Sequence, residues 1–132
     1  MRHPERVEDY LEHIAQAIQR ATEYVGRFDS LSAFEQSQLE QDAVIRNIEI
    51  IGEAARQIQR QAPEFVATHP EIPWLDMSDM RNRMIHAYFD VNLSIVWSTV
   101  KDDFPPLKHQ IHDLLNEQRR SGRPEPEPDR SR

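Results

Sequence analysis

Val7-Glu8-Asp9-Tyr10-Leu11-Glu12-His13-Ile14-Ala15-Gln16-Ala17-Ile18 places apolar residues at alternating steps of four and three. The stripe Val7, Leu11, Ile14, Ile18 continues through Ala21, Val25 and Phe28. That period keeps one face of a helix apolar along its whole length. A helix from about Pro4 to Phe28 is expected. Pro4 suits its first turn, where a missing N–H costs nothing.

The same period recurs further along the chain. Ser32-Ala33-Phe34-Glu35 fits a capping box, so a second helix is expected from Ser32. Its stripe is Val44, Ile48, Ile51, Ala55, Ile58 and Ala62, and Pro63 ends it. Another face carries Asp42, Arg46, Glu49, Glu53, Arg56 and Arg60. Gly52 inside this helix costs about 1 kcal/mol relative to alanine, and close approach of a neighbouring helix would account for it. Pro63, Pro70 and Pro73 predict a loop over 63–75 with one helical turn around Phe65. A short third helix follows from Asp76 or Ser78, with Met77, Met80 and Met84 on its apolar side. These methionines read as core.

Asn92 is the expected N-cap of a fourth segment. Its stripe is Leu93, Trp97, Val100, Phe104, Leu107, Ile111 and Leu114, with Pro105-Pro106 inside it. Prolines there break or kink a helix. The stripe keeps its phase across them, which predicts a kink and not a reversal. No strand-period segment or internal repeat stands out. The fold class is all-α, an antiparallel bundle of four to five helices with a kinked last helix.

At 132 residues the chain holds one domain. A helical domain is expected over 1–118, and a disordered charged tail over 119–132, which lacks an apolar anchor. No cysteine is present, so disulfides and thiolate metal sites are excluded. No apolar run approaches the ~20 residues that span a bilayer. Met1-Arg2-His3-Pro4-Glu5 lacks the apolar region of a signal peptide. A cytoplasmic protein without a membrane partner is expected.

The net charge of −7 is unevenly spread. Residues 119–132 hold five arginines and three acids, leaving 11 basic and 20 acidic residues in 1–118. Such a surface repels nucleic acid at long range and lacks the usual basic footprint. RNA-directed chemistry then requires a local basic site, or one assembled from two chains.

Dense polar chemistry is concentrated in Arg81-Asn82-Arg83-Met84-Ile85-His86-Ala87-Tyr88. An arginine fork suits phosphate oxygens, a histidine exchanges a proton near neutral pH, and a tyrosine hydroxyl can accept a covalent group. This segment, Arg-x4-His-x-Tyr, resembles the HEPN superfamily, and specifically HepT-type toxins of toxin–antitoxin pairs. Further stretches resemble the same group in order and spacing. They are Ile45-Arg46-Asn47-Ile48-Glu49-Ile50-Ile51-Gly52-Glu53-Ala54-Ala55, Ile72-Pro73-Trp74 and Val96-Trp97. The likeness covers roughly residues 4–117.

The resemblance implies a homodimeric, metal-independent endoribonuclease acting on mRNA or tRNA, with no cofactor. Arg81 and His86 match the catalytic pair. Tyr88 matches the tyrosine that an MntA-like nucleotidyltransferase antitoxin modifies with AMP. Asn82, Arg46 and Glu53 are the supporting polar residues. RNA cleavage without a metal needs a base for the 2′-OH, an acid for the leaving oxygen and a cation for the phosphorane. His86 and Arg81 are suited to these tasks. On a straight helix, at ~100° per residue, the two lie about 140° apart. Either the helix ends or distorts near His86, or two copies complete one site; the dimer is the favoured reading. If the helix continued, Tyr88 would fall near the face of Arg81.

Plainer readings stand beside these. A histidine near a helix end is commonly a surface or capping residue, and Arg83 reads as a surface charge or a secondary phosphate contact. Asp42, Arg46, Glu49 and Glu53 form either a solvated face or carboxylate partners for the signature arginine. His109 and His112, with Asp113, could be a metal pair, but bridged bundle sites use Glu-x-x-His, which does not occur. A silent HEPN module that binds a nucleotidyltransferase or RNA, and a simple dimerisation protein, are the alternatives to an enzyme.

Overall fold

The computed structural model describes residues 6–86 and 90–122, with backbone alone at 85, 86, 90, 121 and 122. In chain order the helices are α1 (Val7–Val25), α2 (Leu31–Phe34), α3 (Gln38–Gln61), α4 (Pro63–Thr68), α5 (Trp74–Ser78) and α6 (Met80–Met84). A two-residue strand β1 (Ile85–His86) then pairs with β2 (Asp90–Val91). Helix α7 (Leu93–Ser98), a π-helical turn (Thr99–Asp103) and α8 (Phe104–Gly122) complete the chain. The architecture is all-α, with this one short bridge among the described residues.

Helix α1 packs against both α3 and α8. Polar pairs at the ends fix the directions. Gln61 at the end of α3 donates to the Tyr10 hydroxyl near the start of α1, at 3.1 Å. Arg27, just past α1, pairs with Glu40 at the start of α3, at 3.0 Å. Arg119 near the end of α8 donates to Glu12 at 3.0 Å. Both neighbours therefore run antiparallel to α1, as the bundle reading requires.

The expected stripes form the core. Leu11, Ile14 and Ile18 of α1 meet Val44, Ile51 and Ile58 of α3 and Phe104 and Ile111 of α8, all fully buried. Each such side chain contributes roughly 1.5–3 kcal/mol by leaving water. Met77, Met80 and Met84 are buried among them, as core and not as a binding strip.

Several boundaries differ from the sequence reading. Helix α1 starts at Val7, where the Asp9 carboxylate accepts the free Arg6 N–H at 3.1 Å. Pro4 lies outside the described residues. The second helix is divided. Ser30, not Ser32, caps α2 through the Ala33 N–H at 3.1 Å, and α3 begins only after Ser37. The apolar period alone could not locate that break, because Phe34 remains buried across it. At Ser37 the hydroxyl donates to Glu40. This bond, aided by Arg27, holds the Glu40 carboxyl below its ordinary range. The stabilisation is present above the ordinary carboxylate value and is lost as pH falls through the lowered one. An NMR titration of Ser37→Ala should show Glu40 moving back up toward the ordinary value.

Pro63 starts α4 as an N-terminal helical residue, so the expected turn around Phe65 is a six-residue helix. The kink at Pro105-Pro106 takes a specific form. The preceding π-turn bonds the Phe104 N–H to the Thr99 carbonyl, and the two prolines occupy the first turn of α8, where absent donors cost little. Direction is not reversed. Helix α8 continues to Gly122, four residues past the boundary expected at 118, and Arg119 is docked on α1.

Asn92 caps α7 by accepting the Ile95 N–H at 3.1 Å, as read from the sequence. Asn92→Ala should cost about 1 kcal/mol in urea unfolding, with Asn92→Asp retaining most of the stability. An alanine variant as stable as the parent would deny the cap any energetic role.

Candidate active site

The site is built by what α3 does to α5 and α6. Gly52 lies where a Cβ would come within 3.2 Å of the Met77 carbonyl oxygen and 3.7 Å of that of Ser78. The missing side chain lets the α5 backbone rest on α3, which is the close approach expected at this glycine. Polar side chains of α3 then hold the segment in place. Arg56 donates to the Ser78 carbonyl at 3.3 Å, and Gln59 to that of Trp74 at 3.0 Å. The chain turns at Asp79, whose carboxylate accepts from Asn82 at 2.8 Å. Beyond that turn, α6 buries Met80 and Met84 and presents Arg81, Asn82 and Arg83 to solvent.

Among the described residues, one carboxylate holds Arg81. Its Nε donates to Glu49 Oε2 at 2.8 Å, from α6 to α3. The arginine side chain is 58% exposed and the glutamate 33%, so the pair is a surface one, worth ~0–1 kcal/mol. Its consequence is positional. Glu49 occupies Nε, and the arginine side chain as a whole stays more than half exposed. Of the two readings of the α3 polar face, the partner role holds at Glu49.

The structure does not bring all the supporting residues to Arg81. Glu53 instead pairs with Arg56 at 3.6 Å and accepts from Gln57 at 2.8 Å. Arg46 is exposed one turn before Glu49 and lines a cleft with it. Asn82 braces the turn at Asp79. Glu49 was legible as part of a polar face, but i,i+4 spacing gives Glu49 and Glu53 equal claims. Only the placement of α6 selects between them.

Helix α6 ends at Met84, and the backbone becomes extended at Ile85 and His86. There Ile85 is paired with Val91 and His86 with Asp90, and the Asn92 N–H donates to the Met84 carbonyl at 2.8 Å. The separation of 140° calculated for a regular helix therefore does not apply to Arg81 and His86. Of the alternatives, the helix does end before the histidine. The continuation that would have placed Tyr88 over Arg81 is absent for the same reason. The His86 side chain and all of Tyr88 lie outside the described residues.

Among the described residues no group of three or more metal-ligating side chains is gathered. No described helix is long and apolar enough to cross a membrane.

The family model described as Ribonuclease HepT-like matches residues 14–114, most of the chain and the whole of this site. The chain belongs to the ribonuclease HepT-like family. It is 45% identical over 108 residues to a Thermococcus cleftensis protein named "Probable ribonuclease HepT", covering 80% of this chain and 93% of that one. It is 34% identical over 110 residues to "Putative RNase TTE0752" of Caldanaerobacter subterraneus, covering 83% and 95%. A Methanocaldococcus jannaschii protein, "Gamma-glutamylcyclotransferase and putative RNase MJ0434", is 40% identical over 84% of this chain, which spans 48% of that protein. No solved structure matches the chain. In this HepT-like chain, the matched span contains Arg81, His86 and Tyr88 together with the α3 polar face.

Proposed function

We propose that this chain is an endoribonuclease, the toxin of a toxin–antitoxin pair acting on cytoplasmic RNA through Arg81 and His86. One observation carries the reading beyond family membership. In a predominantly acidic domain, Arg81 is held by Glu49 through Nε while its side chain stays more than half exposed. A guanidinium held this way can take two phosphate oxygens at once.

The chemistry requires no metal. His86 takes the proton of the 2′-OH, whose oxygen attacks the adjacent phosphorus. Arg81 stabilises the charge that builds on the phosphorane. The bond to the 5′-oxygen breaks, and that oxygen leaves with a proton, supplied by a second acid or by His86 of another copy. The products are a 2′,3′-cyclic phosphate and a 5′-hydroxyl. Mass spectrometry of the fragments should show those ends. Fragments ending in 3′-hydroxyl and 5′-phosphate would require a different mechanism.

The proposed active form is a homodimer, in which two copies would double the local basic charge and supply two histidines. The proposed regulator is an MntA-like nucleotidyltransferase that moves AMP to the Tyr88 hydroxyl. The added phosphate is an anion two residues past His86 in the chain, where it repels the phosphates of an incoming RNA. Tyr88→Phe should therefore keep ribonuclease activity and escape silencing when the antitoxin and ATP are supplied. A phenylalanine variant that still gains AMP and falls silent would place the modification on another residue.

A further inference from the structure

A cleft of about 410 Å³ lies between α1 and α3. Tyr10 and His13 line it from α1, and Arg46, Glu49, Glu53 and Gln57 from α3. Its carboxylates are engaged. Glu49 holds Arg81 at 2.8 Å, while Glu53 pairs with Arg56 at 3.6 Å and accepts from Gln57 at 2.8 Å. Arg46 is exposed and makes no ion pair among the described residues. Across from it, Tyr10 and His13 stand edge to face, with ring centroids 6.2 Å apart. The Tyr10 hydroxyl is fixed by Gln61 at 3.1 Å.

We infer that this cleft is an RNA subsite, taking a nucleotide next to the scissile phosphate, with its phosphate on Arg46 and its base against Tyr10. The inference rests on the ribonuclease reading. Three observations converge on it. Glu49 belongs to both places, so the cleft opens directly beside Arg81. Its arginine carries a charge that the neighbouring carboxylates, already engaged, do not neutralise. An aromatic ring held by a hydrogen bond at its tip provides a fixed stacking surface, which suits any base. In a domain whose acidic surface repels RNA at long range, attachment must come from such local contacts. Few phosphates are then neutralised, and the salt dependence of binding is shallow.

The test is fluorescence anisotropy with a labelled single-stranded RNA, at several salt concentrations, in a His86→Ala background that leaves the RNA intact. Arg46→Ala should weaken binding about tenfold and flatten the log–log salt slope by about 0.7. Tyr10→Ala should weaken it by a similar factor, while Tyr10→Phe restores it. Arg60→Ala removes the same charge from the same helix outside the cleft and should leave affinity unchanged. Circular dichroism confirms that each variant is folded.

If wild-type protein cleaves RNA but Arg46→Ala and Tyr10→Ala bind like their parent, the subsite is overturned and the ribonuclease reading stands. If the wild-type protein does not cleave RNA and the His86→Ala parent does not bind it, both fall. A change in sedimenting mass for Arg46→Ala, without a change in RNA affinity, would overturn the subsite by making the cleft a contact between copies.

Discussion

Arg81→Ala should lower the rate of RNA cleavage by about 10²–10³-fold while leaving the folded chain almost as stable as before. The two halves of this expectation rest on different observations. The Arg81 side chain is more than half exposed and, among the described residues, makes a single ion pair, to a glutamate that is itself a third exposed. Losing such a pair costs at most ~1 kcal/mol. Removing one donor that stabilises charge in a transition state costs about 10²–10³ in rate. Arg81→Lys should recover only part of the activity, because a point charge cannot span two phosphate oxygens. Cleavage rates and urea unfolding on the same preparations test both halves. A variant that unfolds would make Arg81 a structural residue of a helical dimerisation protein. One that cleaves normally would remove it from the chemistry.

Gly52→Val should destabilise the chain by about 3 kcal/mol, the upper end of what overpacking costs, and should lower activity as well. A Cβ at this position already meets the Met77 carbonyl at 3.2 Å, and that neighbour is backbone, which cannot rotate away. Two further methyl groups must push α5 off α3. Helix α6 follows α5 after a single residue, so Arg81 moves away from Glu49 when α5 moves. Thermal unfolding measures the first effect, and cleavage by the folded fraction measures the second. A valine variant of unchanged stability would mean that the close approach of α5 to α3 contributes nothing.

The long helices were legible because their cores are periodic. The stripes of α1, α3 and α8 are buried where the sequence places them, and the Asn92 cap and Gly52 were readable from local chemistry. The breaks were harder to read. Ser37 interrupts a segment whose apolar residues stay in phase, and only backbone hydrogen bonding shows that Ser30 and Ser37 start separate helices. The end of α6 at Met84 was also hidden. The two residues after it, Ile85-His86, include no glycine or proline to announce a change to extended backbone. Pairing of Ile85-His86 with Asp90-Val91 joins two-residue segments, and neither carries a strand period of its own. The site followed the same pattern. Arg81 was singled out by residue type and by the family resemblance, but its pairing with Glu49 depends on how α6 lies across α3.

The proposed activity is metal-independent RNA cleavage through His86. The most direct test is RNA cleavage by purified protein in EDTA, with His86→Ala in parallel, after intact mass has shown Tyr88 free of AMP. Cleavage that persists in EDTA and disappears in the folded alanine variant is the predicted result. Equal cleavage by both proteins, or none by unmodified folded protein on cellular RNA or tRNA, would contradict it.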